Sequence, residues 1–229
     1  MPVAVAARQL DARADAWYGT ATAAALVREE QRQIAPLLTR CRGVRGLFLR
    51  PHAALPAALS GHLLQQIVAL ARVRGGWDGE ARMPGDALAL QRDAVDLIVA
   101  LHTLADAPRR ADLLLEYERV LSSEGILLVV ELNPWSPFRW RWLRRGPRAF
   151  GSGACVHALR EAGFDVVSRY AVGPLLPWLR PDRAAPLGRY FPNTVLRAGY
   201  VLLARKRIAS PVAARPRARV SLQPGMLSG

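Results

Sequence analysis

Hydrophobic residues recur along this chain with two periods, and the switch between them marks out the elements. Residues 95–101 and 126–130 are short runs of Val, Ile and Leu, uncharged after Asp96, as strands buried on both faces are. Between them Leu113, Leu114, Tyr117, Val120 and Leu121 recur at three and four residues, which puts them on one helix face. Pro108 stands near the helix start and Gly125 at its exit. Strand, helix and strand in this order predict a βαβ unit with a right-handed crossover. The remaining elements are placed around it.

Upstream, Leu26, Ile34, Leu37, Leu38 and Cys41 trace an apolar helical stripe with Thr20 or Thr22 as N-cap, and Pro36 is expected to kink or restart it. A short strand is predicted at 46–49, a helix from Pro56 to about Leu64, and a strand at 66–73 for which helix is the competitor. Residues 74–85 are turn-rich. Downstream, two helical turns are expected within 138–145, a helix at 154–162, and strands at 164–172 and 198–205, the last two separated by a Pro-rich irregular stretch. The pattern predicts one α/β domain over 17–207, with a doubly wound, mostly parallel sheet closed by a C-terminal antiparallel hairpin. A flexible lead-in at 1–16 and a basic disordered tail at 208–229 are expected to flank it.

Charge changes the picture in one respect. The net charge is +14, yet residues 1–138 carry 15 basic and 15 acidic side chains, whereas 139–229 carry 17 basic and 3 acidic. The whole excess therefore lies in the C-terminal part, where a basic face suits phosphates or anionic lipid. Within it Arg139, Arg141, Arg144 and Arg145 alternate with Phe138, Trp140 and Trp142, a mixture suited to a membrane interface or to stacking on bases. No apolar run approaches the ~18 residues of a membrane span, and the N-terminus lacks the features of a signal peptide, so a cytoplasmic protein is expected. Cys41 and Cys155 read as free thiols. His52, His62, His102 and His157 form no metal-ligand spacing with each other or with the cysteines.

Three stretches carry a family resemblance. Asp93-Ala94-Val95-Asp96-Leu97-Ile98, Tyr117-Glu118-Arg119-Val120-Leu121 and Glu124-Gly125-Ile126-Leu127-Leu128-Val129 resemble the second half of a class I S-adenosylmethionine-dependent methyltransferase of the type-11 family. His102-Thr103-Leu104, Asn133-Pro134-Trp135-Ser136 and Ala204-Arg205-Lys206-Arg207 resemble a narrower bacterial branch of it. The resemblance implies S-adenosylmethionine lying across the carboxyl ends of the strands, with Leu49, Arg50, Pro51, Leu88 and Leu101 as cofactor-binding positions. It further implies a methyl acceptor held near His102, the candidate catalytic residue, by Asn133 and Trp135.

The chain departs from that family where the cofactor should sit. The first turn, Leu49-Arg50-Pro51-His52-Ala53-Ala54, has no glycine, and Pro51 removes an N–H. Arg72-Val73-Arg74 offers cations where a carboxylate would hold the ribose, and Asp78 or Glu80 would replace it only with a rebuilt turn. Two functions are thus expected. One is an S-adenosylmethionine-dependent methyltransferase acting on a small-molecule or anionic substrate. The other is a non-catalytic module that kept the sheet and contacts nucleic acid or an anionic membrane through Arg139, Arg141, Arg144 and Arg145.

Overall fold

The structure is a computed structural model and describes residues 12–84, 87–143, 146–175 and 196–207. Residues 12–18 are helical, and Ala14, Trp17 and Tyr18 are buried, so ordered packing begins ahead of the expected boundary at 17. Helix α1 follows at Ala21–Leu38. Thr20 caps it, its hydroxyl accepting from the Ala23 N–H at 3.2 Å. The helix does not restart at Pro36 but runs through it to Leu38.

Among the described residues eight strands then form one sheet: β1 (Arg42–Arg50), β2 (Leu63–Val73), β3 (Gly76–Gly79), β4 (Met83–Pro84), β5 (Val95–Leu101), β6 (Leu121–Leu132), β7 (Phe164–Val172) and β8 (Gly199–Lys206). Their order across the sheet is β4-β3-β2-β1-β5-β6-β8-β7. Strands β2, β1, β5 and β6 are parallel, with Phe48 opposite both Ala69 and Val99. Strand β8 enters antiparallel between β6 and β7, which gives the expected C-terminal hairpin. Helix α2 (Arg110–Val120) makes the predicted crossover from β5 to β6, and α3 (Ser152–Glu161) precedes β7.

Alternation along the strands builds two cores. Phe48, Val99, Leu101, Leu128, Val130 and Val201 face α1. Leu47, Leu49, Ile98, Ala100, Val129 and Leu202 face the opposite way, toward α2 and α3.

The predicted helix at 56–64 is absent: residues 51–62 contain no regular element. Their carbonyls find other donors. Arg50 Nη1 donates to Leu55 O, and Gln31 Nε2 of α1 donates to Pro56 O at 3.2 Å. Gly61 adopts φ +88° against Ala35, a conformation that ends any helix there. Leu55 and Leu59 reach the core as single anchors, 2% and 6% exposed. The stretch at 66–73 is strand, as read from the sequence. After β2 the chain turns at once into antiparallel β3 instead of making a second crossover, so this end of the sheet is trimmed.

The carboxyl edge as candidate functional site

In a sheet of this topology ligands bind beyond the carboxyl ends of the parallel strands. Here that edge comprises the loop after β1, the turn after β5, and the loop after β6. The antiparallel partners add the start of β8 and the end of β7, since Leu132 pairs with Gly199 and Gly199 with Val172.

The residues that carry the family resemblance most clearly lie elsewhere. Asp96 accepts from the N–H groups of Val44 and Arg45 at 2.7 and 3.2 Å and from Ser122 Oγ at 3.2 Å. Asp93 and Glu118 both pair with Lys206, at 2.7 and 3.3 Å. Arg119 donates to the carbonyls of Leu88 and Leu90 at 2.8 Å each. These side chains hold strands and loops together.

At the carboxyl edge itself a buried polar cluster surrounds His102. This residue follows β5 in the left-handed region (φ +48°), an uncommon backbone state for a side chain of this size, and its N–H donates to Val130 O at 2.7 Å. Its Nε2 lies 3.1 Å from Glu30 Oε2 of α1, without the alignment of a hydrogen bond. The Tyr18 ring stands 5.9 Å from the imidazole. Glu131 Oε1 accepts from the Leu104 N–H at 2.8 Å. All four side chains are almost completely buried.

Burial governs their titration. It pushes Glu131 up to about 7, partly opposed by His102 and by the Leu104 N–H. It raises the Tyr18 hydroxyl well above its ordinary value, helped by Asp106, Glu131 and Glu30. For His102 burial alone would lower the pKa, but Glu30, Glu131 and Asp106 override it and the net shift is upward. Glu30, Tyr18 and Glu131 are polar contributors that sequence reasoning missed. A signal existed: Glu30 occupies the same helical row as Leu26 and Ile34, and Glu131 sits between Val130 and Leu132.

The expected cofactor positions are split between the two faces. Leu49 and Leu88 belong to the core with α2 and α3, while Leu101 belongs to the core under α1. Leu49, Leu88, Trp77 and Met83 belong to the same core and are 0, 1, 0 and 5% exposed respectively. Arg50 is buried and its guanidinium is folded back onto Leu55 O and Ala53 O within its own turn, over the buried Pro51. Arg72 lies over the Trp77 ring at 5.0 Å. Of the alternative carboxylates, Glu80 accepts from the Ala69 N–H at 3.0 Å, and Asp78 from the Gly79 N–H at 3.0 Å. The turn after β1 therefore lacks the open glycine-rich backbone that would face S-adenosylmethionine: Pro51 has no N–H, and the Arg50 side chain is folded onto the turn's own carbonyls.

The expected substrate positions build the loop after β6. Asn133 donates from Nδ2 to Arg197 O at 3.1 Å and accepts at Oδ1 from the Trp135 N–H at 3.1 Å. Ser136 caps a short 3₁₀ helix, Pro137–Arg141, and donates to Leu196 O at 2.8 Å. Trp135 points outward and is 77% exposed. Of the four arginines, Arg139 and Arg141 are exposed on this loop, while Arg144, Arg145 and the tail from 208 lie outside the described residues. Among the described residues no group of three His, Cys, Asp or Glu side chains is placed to share a metal ion, and no helix is long and apolar enough to cross a membrane.

No family model matches the chain, and no curated protein does. Solved structures do. A putative S-adenosylmethionine-dependent methyltransferase from Listeria monocytogenes is 12% identical, with a TM-score of 0.52 over 79% of this chain and 100% of its own. A possible histamine N-methyltransferase from Thermotoga maritima is 15% identical (TM-score 0.51, 80% of this chain and 90% of its own). A putative methyltransferase from Bacillus halodurans is 14% identical (TM-score 0.51, 77% of this chain and 99% of its own). The chain has a class I methyltransferase-like α/β fold. At these identities the likeness is one of fold.

Proposed function

We propose that this chain is a non-catalytic binding protein built on the methyltransferase fold, which meets an anionic partner through the basic loop after β6. The observation that carries this reading is the turn at the exit of β1. Pro51 offers no N–H there, and Arg50 folds onto the carbonyls of its own turn where a glycine-rich backbone would otherwise face the ligand. A methyltransferase must align its donor for in-line attack, and a turn without a glycine-rich cradle lacks a main means of doing so. The buried His102 cluster then serves to position the turn after β5 and to tie α1 to the sheet, since its side chains face each other and not solvent.

Isothermal titration of the full chain with S-adenosylmethionine and with S-adenosylhomocysteine tests this. No saturable heat is expected up to millimolar ligand. A one-to-one isotherm with either compound would restore the enzyme reading, with His102, Asn133 and Trp135 as its first residues to mutate.

A further inference from the structure

We infer that the loop after β6 is a lipid-surface anchor, and that the anionic partner is a bilayer. The inference rests on the binding-protein reading above and names its partner.

Eight large apolar side chains are exposed among the described residues; Val44, Leu63, Leu115 and Val167 lie on β1, β2, α2 and β7, and the other four lie on or beside the loop after β6. Trp135, Trp140 and Leu143 lie on this loop, and Leu196 lies on the segment whose carbonyl Ser136 holds; they are 77, 81, 46 and 49% exposed. The loop presenting them is well fastened. Phe138 and Trp142 turn inward, 1% and 2% exposed, with ring centroids 5.7 Å apart, and Trp142 meets Trp17 at 5.6 Å. Asn133 and Ser136 pin its start to 196–197 through the bonds described above. The three-residue turn of the 3₁₀ helix sends Trp140 outward while Phe138 is held inside. The indoles are thus offered to solvent from a fixed platform, at the rim of the sheet.

Charge selects the partner. Residues 132–160 contain six arginines and no Asp or Glu, and Arg139, Arg141 and Arg148 are exposed. Tryptophans that stand out among arginines match the headgroup region of an anionic bilayer, where the ring enters the interface and the guanidinium meets phosphate. A single-stranded nucleic acid would also take Trp and Arg, but the aliphatic Leu143 and Leu196 give nothing to base stacking and do gain from lipid contact. Lipid accounts for all four exposed apolar side chains at this loop, and nucleic acid for the two indoles alone.

The test uses the full chain with vesicles of phosphatidylcholine alone, the same with phosphatidylglycerol, and a single-stranded oligonucleotide. Co-sedimentation with the anionic vesicles is expected, with a blue shift of Trp emission and quenching by brominated acyl chains. Replacing both outward rings (Trp135→Ala with Trp140→Ala) should weaken vesicle binding roughly tenfold or more. Arg139→Ala and Arg141→Ala should each weaken it by about fivefold at low salt. An unchanged thermal midpoint for all variants would show that the fold is intact, because the replaced side chains are exposed. Vesicle binding that ignores the two Trp substitutions would overturn the anchor. Trp-dependent binding to the oligonucleotide without vesicle binding would overturn the lipid assignment and leave the binding-protein reading standing. Concentration-dependent self-association abolished by the Trp pair, again without vesicle binding, would reassign the patch to a second copy of the chain. Saturable binding of S-adenosylmethionine alongside vesicle binding would remove the non-catalytic reading alone.

Discussion

Glu131 shows how one buried carboxyl can set the pH response of the molecule. A group whose folded pKa lies above its unfolded value binds its proton more tightly in the folded chain. Its contribution is complete below its ordinary value near 4.5 and is lost as the pH rises through about 7. His102 shifts in the same direction, so its contribution also declines as the pH rises. Thermal stability should therefore fall between about pH 5 and pH 8. Glu131→Gln keeps an oxygen for the Leu104 N–H and removes the titration. It should flatten the profile and add on the order of 1–3 kcal/mol at pH 8. Melting curves of both proteins across this range decide it, and parallel profiles would exclude Glu131 as the cause. Gly199 is the backbone counterpart of this cluster. A Cβ there would lie 2.8 Å from Glu30 Oε1 and 2.9 Å from the Glu131 carbonyl oxygen, and the carbonyl cannot yield. Gly199→Ala should cost roughly 1–3 kcal/mol in chemical denaturation; a neutral result would mean that β6 and β8 can shift apart here and that α1 can give way as well.

Among the elements, α2 does more than cross from β5 to β6. Arg119 and Glu116 clamp the loop before β5 from its side: Arg119 binds the carbonyls of Leu88 and Leu90, and Glu116 accepts from the Leu88 N–H at 3.1 Å. Arg119→Ala leaves both carbonyls without this donor and should cost about 1–3 kcal/mol by urea unfolding. A loss below about 0.5 kcal/mol would show that the loop is held by Leu88 packing alone. The clamp also explains what the sequence made legible. Strands β5 and β7 and helices α2 and α3 were readable because each has a clean period and a local stop, such as Gly163 after α3. The family letters at Asp93, Asp96, Glu118 and Arg119 announced the fold because they hold it. The helix expected at 56–64 is absent where Gln31 takes the Pro56 carbonyl and Gly61 turns to φ +88°, tertiary contacts that no local pattern reveals. The polar cluster was half legible. His102 could be placed by its position after a strand, but Glu30 and Tyr18 reach it only through the packing of α1 on the sheet.

On the scale of the whole molecule, two cores share one sheet, and neither can open far without uncovering the other's strands. Each face carries one internal probe. Cys41 is buried in the core under α1, and Cys155 in the core with α2 and α3. Burial pushes the Cys41 thiol up to about 11 and the Cys155 thiol up to about 12, so both are protonated and inert in the folded state at neutral pH. Labelling either one then requires its face to open. Single-cysteine variants, Cys41→Ala and Cys155→Ala, report the two faces separately. If the sheet couples them, the remaining thiol in each variant should react with an aromatic disulfide at the same urea midpoint, once the small stability difference between the variants is subtracted. The labelling should also follow the loss of Trp17 and Trp142 fluorescence. A lower midpoint for Cys41 alone would mean that α1 peels from the sheet as a separate unit, carrying Tyr18 and Glu30 away from His102. The carboxyl edge would then be exposed before the fold is lost.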